Sequence, residues 1–216
     1  MSEVLEGPCA IVDGGSQETR RGKHAFWRAQ LAPYARPHPR RAMVSIATSV
    51  LAYLALSVAM YLALRVSDWL ALALAIPAAA FLVRTFIVFH DCAHGSFLPN
   101  RRANAWLGTF LGLFLYSPFV RWQHDHAVHH ASSGDLARRG VGDIRTLTVS
   151  EYRALSWRGR LAYRLTRSPV VMLGLGPIVA MVIGPRFVAR GARPRMRRSV
   201  LGTDAALAVL IGACAG

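Results

Sequence analysis

The chain has 216 residues, of which 53% are hydrophobic, and its formal net charge is +15. The apolar residues form long uncharged runs that a soluble core helix rarely needs, and the 25 arginines stand mostly between those runs. The composition therefore predicts an integral membrane protein with no nucleic-acid partner, since no nucleic-acid-binding motif accompanies the charge. Three cysteines without CxxC spacing argue against a disulfide framework or a thiolate metal site.

The chain begins with a polar stretch, 1–42, that contains seven basic residues and no apolar core of the kind a secretory signal requires. We predict that this segment is cytoplasmic and that 43–216 form a membrane domain. Met43–Leu64 has 22 residues and no charge, and at about 1.5 Å per residue it would extend about 33 Å, enough to cross a hydrocarbon core. Trp69–Phe89 is a second run, and the short link between the two predicts an antiparallel hairpin.

The later segments are less regular. Ala105–Val120 has 16 residues, which is marginal for crossing and also fits a re-entrant or interfacial segment. The polar segment 121–168 contains nine arginines and is predicted to be cytoplasmic. Pro169–Pro185 and Val200–Gly216 complete an all-α bundle of about four spans. Six arginines in Arg186–Arg198 leave two alternatives: either Pro169–Pro185 does not cross, or its loop is an exception to the positive-inside rule.

Six of the eight histidines lie within residues 90–130. His90 and His94 form an HxxxH pattern, and on a helix the positions i and i+4 share one face, so both imidazoles reach one metal ion. His126, His129 and His130 form HxxHH, which places three imidazoles on one side of a helix. Neutral imidazole is a ligand for iron, zinc and copper.

A lone histidine at the end of an apolar run is usually a hydrogen-bonding or interfacial residue, and a lone HxxxH is weak evidence for a metal. Two boxes separated by 31 residues, each beside an apolar run, favour metal binding. A zinc protease requires Glu after the first histidine, but position 91 is Asp, and structural zinc prefers thiolates. Many nitrogen ligands with few carboxylates fit iron that activates dioxygen.

These residues resemble a known family. HDCAHGSF, from His90 to Phe97, is similar to the first histidine box of the membrane fatty acid desaturases, and HAVHH, from His126 to His130, is similar to their second box. The flanking sequence, RTFIVFHDCAHGSF and HHASSGDLARRGVGDIRTLTVSEY, resembles bacterial acyl-lipid desaturases of the Δ12/ω-3-like branch. The resemblance extends from about Arg36 to the last residue.

The resemblance implies a di-iron oxidoreductase that uses dioxygen and two electrons to place a cis double bond in a fatty acyl chain. It implies that His90, His94, His126, His129 and His130 are iron ligands. It also implies an electron donor such as ferredoxin or a cytochrome b5-type protein, and a bacterial inner membrane with both boxes on the cytoplasmic side. Redox chemistry on an unactivated methylene pair requires such a cofactor, because side chains alone do not provide it.

The family has a third box downstream, whereas this sequence has no histidine after His130. We therefore expect a truncated gene or a fragment, and we expect these 216 residues alone to be inactive. The alternatives are a related hydroxylase or ketolase acting on lipid or carotenoid, a non-catalytic remnant, and a metal transporter. Transport would require polar ligands near the middle of the membrane, whereas these histidines cluster at the ends of apolar runs.

Several residues beside the boxes have predicted roles, most of them other than metal binding. We expect His124 to be polar and interfacial, with a further metal ligand as the alternative. Asp91 is expected either to orient an imidazole of the other box or to remain solvated. Cys92 is expected to be a small packing residue. We expect Arg84 to extend towards the headgroups, with pairing to an acid as the alternative. An interfacial aromatic belt is expected to contain Trp106, Tyr116 and Trp122.

Overall fold

The computed structural model describes residues 30–34, 36–139, 142, 144–188 and 190–215. Most of the predicted polar segment 1–42 lies outside these residues, as does Cys9. No strand occurs in the described ranges, which confirms the all-α prediction. The helices are α1 (Pro39–Ala63), α2 (Asp68–His94), α3 (Arg101–Phe114), α4 (Phe119–Ser132), α5 (Val149–Ala154), α6 (Trp157–Thr166), α7 (Val171–Arg186, with π and 3-10 turns) and α8 (Pro194–Ala215).

The hairpin of α1 and α2 confirms the two predicted spans. Among the described residues, these are the two helices that are long and apolar enough to cross a membrane, and the number rises to four if each of two bent pairs is one span. Helix α1 begins four residues before Met43, because Pro39 occupies the first helical position, where no backbone N–H is needed. Helix α2 continues past Phe89 to His94 and so includes the whole first box.

Arg84 forms hydrogen bonds across the hairpin, with partners that the sequence analysis did not identify. Its Nε donates to Ser49 Oγ at 3.4 Å and its Nη2 donates to Thr48 Oγ1 at 3.3 Å. Both hydroxyls lie on a π-helical segment of α1, Ala47–Leu51. Arg84 is exposed, and these two hydroxyls give its guanidinium hydrogen-bond acceptors that the apolar side chains around it would not supply.

Helices α3 and α4 form one of the bent pairs, with an angle of 101° between them. Two glycines one turn apart make the sharp return possible. A Cβ on Gly108 would lie 2.1 Å from the Phe119 ring, and a Cβ on Gly112 would lie 2.4 Å from the Ser117 carbonyl oxygen. Phe119 is 1% exposed and belongs to the main apolar core, so any side chain at Gly108 would displace it.

The chain leaves the end of α2 that carries His94 and returns to the same end through α3 and α4. Nε2 of His126, on α4, lies 3.1 Å from Nε2 of His94. This geometry supports the re-entrant alternative for Ala105–Val120. Helices α6 and α7 form the other bent pair, with an angle of 58° between them.

The corner between α7 and α8 lies at the same end as the histidines. Arg193 and Arg195 line a cavity together with His94 and His126. The sequence left two alternatives for the basic loop Arg186–Arg198. The structure supports the first, in which Pro169–Pro185 does not cross the membrane.

Arginine side chains join this corner to α4 and α8. Nη1 of Arg121 donates to the carbonyl oxygens of Gly184 and Pro185, both at 3.1 Å, and to that of Phe187. Arg186 forms an ion pair with Asp204 of α8. The C-terminal carbonyls of α7, which have no helical partner, are therefore satisfied by a guanidinium.

We expect Gly108→Ala to lower the free energy of unfolding by about 1–3 kcal/mol, because the added methyl group overpacks the contact with Phe119. Thermal unfolding in detergent micelles, followed by circular dichroism, measures the change. Gly202→Ala is the matched control, since a Cβ on this helical glycine meets nothing within 4 Å. Equal losses in the two variants would contradict the packing role of Gly108.

Candidate metal centre

The first box occupies the last two turns of α2. His90 and His94 lie one turn apart, with ring centroids separated by 4.6 Å. Gly95 ends the helix in the left-handed conformation, with φ of 68°, directly after His94. The box therefore lies where the helix leaves the apolar region, as its sequence position predicts.

The second box lies in the C-terminal half of α4. His126 and His130 are also one turn apart, and their Nε2 atoms are separated by 3.0 Å. The two boxes are held together by Gln123, whose Nε2 donates to the Ala93 carbonyl at 2.7 Å. The sequence analysis did not identify Gln123, although its position three residues before His126 places it close to the box.

Four imidazoles converge on one point. One ring nitrogen from each residue lies within 4.8 Å of all the others, in a group made of His90, His94, His126 and His130. Ligands at about 2.1 Å from one ion lie about 3.0–3.4 Å apart, and the observed Nε2 separations of 3.0 and 3.1 Å match that range. The donor set of four nitrogens is one that iron accepts.

Trp122 supports this cluster, a role that the prediction of an interfacial aromatic belt did not include. Its indole stacks on the His126 ring, with centroids 4.4 Å apart and planes 20° apart. It also makes edge contacts with Phe89 at 4.9 Å and Phe86 at 5.6 Å. The i, i+4 spacing of Trp122 and His126 is the sequence signal that would have revealed the stack. Trp106, by contrast, is 78% exposed, as a belt residue would be.

His129 is outside the group of four. Its ring centroid lies 6.2 Å from that of His126, and the side chain lines a second cavity with a volume of about 840 Å³. The backbone of Gly142 packs closely on it, because a Cβ there would lie 2.9 Å from His129 Cβ. His129 is thus placed beside the cluster, facing space that also borders His90 and His126.

The remaining polar neighbours do not join the cluster. Nδ1 of His124 contacts Asp125 Oδ1 at 3.3 Å, and Arg121 Nε lies 3.5 Å from Asp125 Oδ2. Asp91 Oδ1 lies 3.3 Å from Nδ1 of His90, so this carboxylate contacts a histidine of its own box rather than the other box. Cys92 is 1% exposed within the apolar core, in line with a packing role.

An all-helical chain with an apolar hairpin and four convergent imidazoles has the features of a membrane protein with a metal centre. The Fatty acid desaturase family model matches residues 67–216. The chain is 41% identical over 199 residues to a fatty acid desaturase of Bacillus subtilis, in an alignment that covers 92% of this chain and 56% of that protein.

A second relative is the sn-1 acyl-lipid omega-3 desaturase (ferredoxin) of Synechocystis, with 29% identity over 59% of this chain and 35% of that protein. The omega-3 fatty acid desaturase fat-1 of Caenorhabditis elegans is 41% identical over 51 residues, which are 24% of this chain and 13% of that protein. The chain thus spans about half the length of the Bacillus relative and less of the others. No solved structure matches it.

The chain belongs to the fatty acid desaturase family.

We expect replacement of His94, His126 or His130 by Ala to reduce bound iron sharply, because each variant removes a nitrogen from a group of four. Metal content of the purified protein, measured by mass spectrometry after reconstitution with ferrous iron, gives the result. His124→Ala is the control, since His124 lies outside that group and contacts Asp125 instead. An equal loss of iron in the control would mean that the second box has been assigned incorrectly.

Proposed function

We propose that this chain is part of a di-iron desaturase that removes two hydrogens from an acyl chain and leaves a cis double bond. In the overall reaction, one methylene pair, dioxygen, two electrons and two protons give one double bond and two waters. The observation that carries the proposal is the cluster of four imidazoles beside a largely apolar cavity, in a chain of this family.

The residues fit an iron site. His90, His94, His126 and His130 would hold iron, and His129 would contribute a further nitrogen from the neighbouring cavity wall. Bound iron supplies the activation of dioxygen that protein side chains lack. The stacked Trp122 fixes the plane of His126, and Asp91 contacts Nδ1 of His90, which leaves Nε2 of that ring directed to a ligand.

The acyl chain would lie in the cavity of about 840 Å³, a volume within the range of pockets for small apolar ligands. Its walls combine Phe86 and Trp122 with Ala180 and Met181 of α7, and they include His90. The apolar part of the wall would hold a methylene pair beside the imidazoles. An acyl chain would enter from the lipid, since α7 exposes large apolar side chains such as Leu173.

We place the boxes on the cytoplasmic side of a bacterial inner membrane, where a soluble electron donor reaches them. The nine arginines of 121–168 and the six of Arg186–Arg198 support this orientation through the positive-inside rule, since residues of both segments line cavities together with the histidines. Ferredoxin or a cytochrome b5-type protein would serve as the donor, and the printed name of the Synechocystis relative includes ferredoxin.

The product identifies the reaction. The longest open reading frame that contains these residues is expressed in a host without its own desaturase, and host lipids are analysed by mass spectrometry. A desaturase removes two hydrogens from an acyl chain, and His126→Ala is expected to abolish the product. Lipids that gain an oxygen instead would contradict desaturation and would favour the related hydroxylase.

The cavity is tested separately. We expect Met181→Trp to reduce product formation strongly while bound iron is retained, because the indole would occupy the space beside His90 without replacing a nitrogen ligand. The control is Leu173→Trp on the same helix, at a side chain that is 79% exposed. Unchanged activity in Met181→Trp would show that the acyl chain lies elsewhere.

A further inference from the structure

Helix α6 has two distinct faces. The inner face holds the chain that precedes α5, because Leu147 N–H donates to Tyr163 Oη at 3.3 Å and Arg167 Nη2 donates to Thr146 Oγ1 at 2.9 Å. The rings of Tyr152 and Tyr163 lie 5.6 Å apart and join α5 to α6. These contacts settle which side of α6 faces the protein.

The outer face has an apolar stripe. Trp157, Leu161 and Leu165 follow one another at i, i+4 and i+8, and they are 66%, 48% and 55% exposed. Successive residues in an α-helix are rotated by about 100°, so these three side chains fall within one sector of about 80°. Apolar side chains that share one helix face in this way are usually covered by another apolar surface.

Arginines border the stripe on both edges. Arg158 lies on one edge, with its guanidinium 5.3 Å from the centroid of the Trp157 ring, while Arg160 and Arg164 lie on the other. Residues 149–168 contain five arginines and one glutamate, and that glutamate, Glu151, pairs with Arg139 at 2.9 and 3.1 Å. This pairing lowers the pKa of Glu151 to about 2, so the carboxylate remains ionised and engaged at neutral pH.

The stripe continues into an apolar surface. Helix α7 follows α6 after four residues with a bend of 58°, and its start exposes Val170 and Leu173 to 78% and 79%. A helix with an apolar face and basic edges that turns into an apolar segment has the pattern of a helix lying in the plane of a membrane surface. Arginine side chains at the edges reach the headgroups while their stems stay with the apolar face.

We propose that α6 is an interfacial helix that docks on the anionic surface of the lipid bilayer, with Trp157, Leu161 and Leu165 among the acyl chains and Arg158 and Arg160 on the anionic headgroups. The charge complementarity and the continuity with α7 favour a lipid surface over a protein partner. Because the inner face of α6 holds Thr146 and Leu147, the docked helix also anchors the loop before α5.

Spin labels on neighbouring positions test the orientation. Leu161→Cys and Ala162→Cys are labelled separately in the full chain carrying Cys9→Ala and Cys214→Ala, while Cys92 stays in place because it is 1% exposed. The protein is reconstituted in vesicles of phosphatidylcholine with phosphatidylglycerol. The label at 161 is expected to be accessible to oxygen and shielded from a neutral water-soluble relaxation agent. The label at 162, which lies about 100° further around the helix and outside the apolar sector, is expected to show the reverse.

A second pair of variants tests the role of charge. In Arg158→Gln/Arg160→Gln, the label at 161 is expected to lose its shielding from the water-soluble agent, with the larger loss in anionic vesicles. Arg153→Gln on α5 removes one exposed charge outside α6 and is expected to leave the shielding unchanged. Leu165→Cys provides a second label on the same stripe if Leu161→Cys does not fold.

Four results would overturn the proposal. Equal access of the water-soluble agent to positions 161 and 162 would show that the stripe is solvated. Shielding that persists in detergent and rises with protein concentration would assign the face to a second copy of the chain. Shielding that requires an added soluble protein, or that is the same with and without phosphatidylglycerol, would exclude an anionic lipid surface as the occupant.

Discussion

One hydrogen bond fixes the relation between the two histidine boxes. The Ala93 carbonyl lies in the last turn of α2, where backbone carbonyls have no helical partner, and Gln123 of α4 donates to it at 2.7 Å. This contact sets the register of α4 against the end of α2. Since His126 lies one turn after Gln123 and His94 directly follows Ala93, the same contact brings the boxes together. An error of one turn in this register would move His126 by about 5.4 Å, which is more than the whole cluster spans.

The sequence predicted what depends on local spacing. The i, i+4 pairs His90/His94 and His126/His130 share helix faces because any helix imposes that arrangement, and the apolar runs predicted the hairpin in the same way. The return of α4 to α2 was left open, since it depends on Gly108 and Gly112 meeting Phe119 and Ser117 across a bend. The sequence around a glycine in an apolar run does not show which distant group packs against it.

The partners of polar and aromatic side chains were harder still to predict. Arg84 and Trp122 were assigned to the membrane interface, because long amphipathic side chains are common there. The structure adds partners that this assignment does not include: Arg84 binds two hydroxyls of α1, and Trp122 stacks on His126. The Arg84 contact arises from the packing of two helices against each other, which a single sequence does not specify, whereas the Trp122 stack lies within α4 and follows from the i, i+4 spacing.

The many arginines of this chain serve different structural purposes. Arg84 spans the hairpin, Arg121 binds the free carbonyls at the end of α7, and Arg186 pairs with Asp204 of α8. A guanidinium suits each setting because its five N–H groups are fixed in a planar fork and remain charged at any physiological pH. Lysine would supply one compact charge and could not donate to two separate acceptors from two nitrogens, as Arg84 does through Nε and Nη2.

The stack of Trp122 on His126 also gives the protein an internal optical probe. Indole emission depends on what lies within a few ångströms of the ring, and this indole lies 4.4 Å from an imidazole of the cluster. A transition metal held by that imidazole would be close enough to quench the emission of Trp122, whereas no ring contact joins Trp106, which is 78% exposed, to the histidines in the described residues. Occupancy of the site is thereby linked to the fluorescence of one native side chain, without any added label.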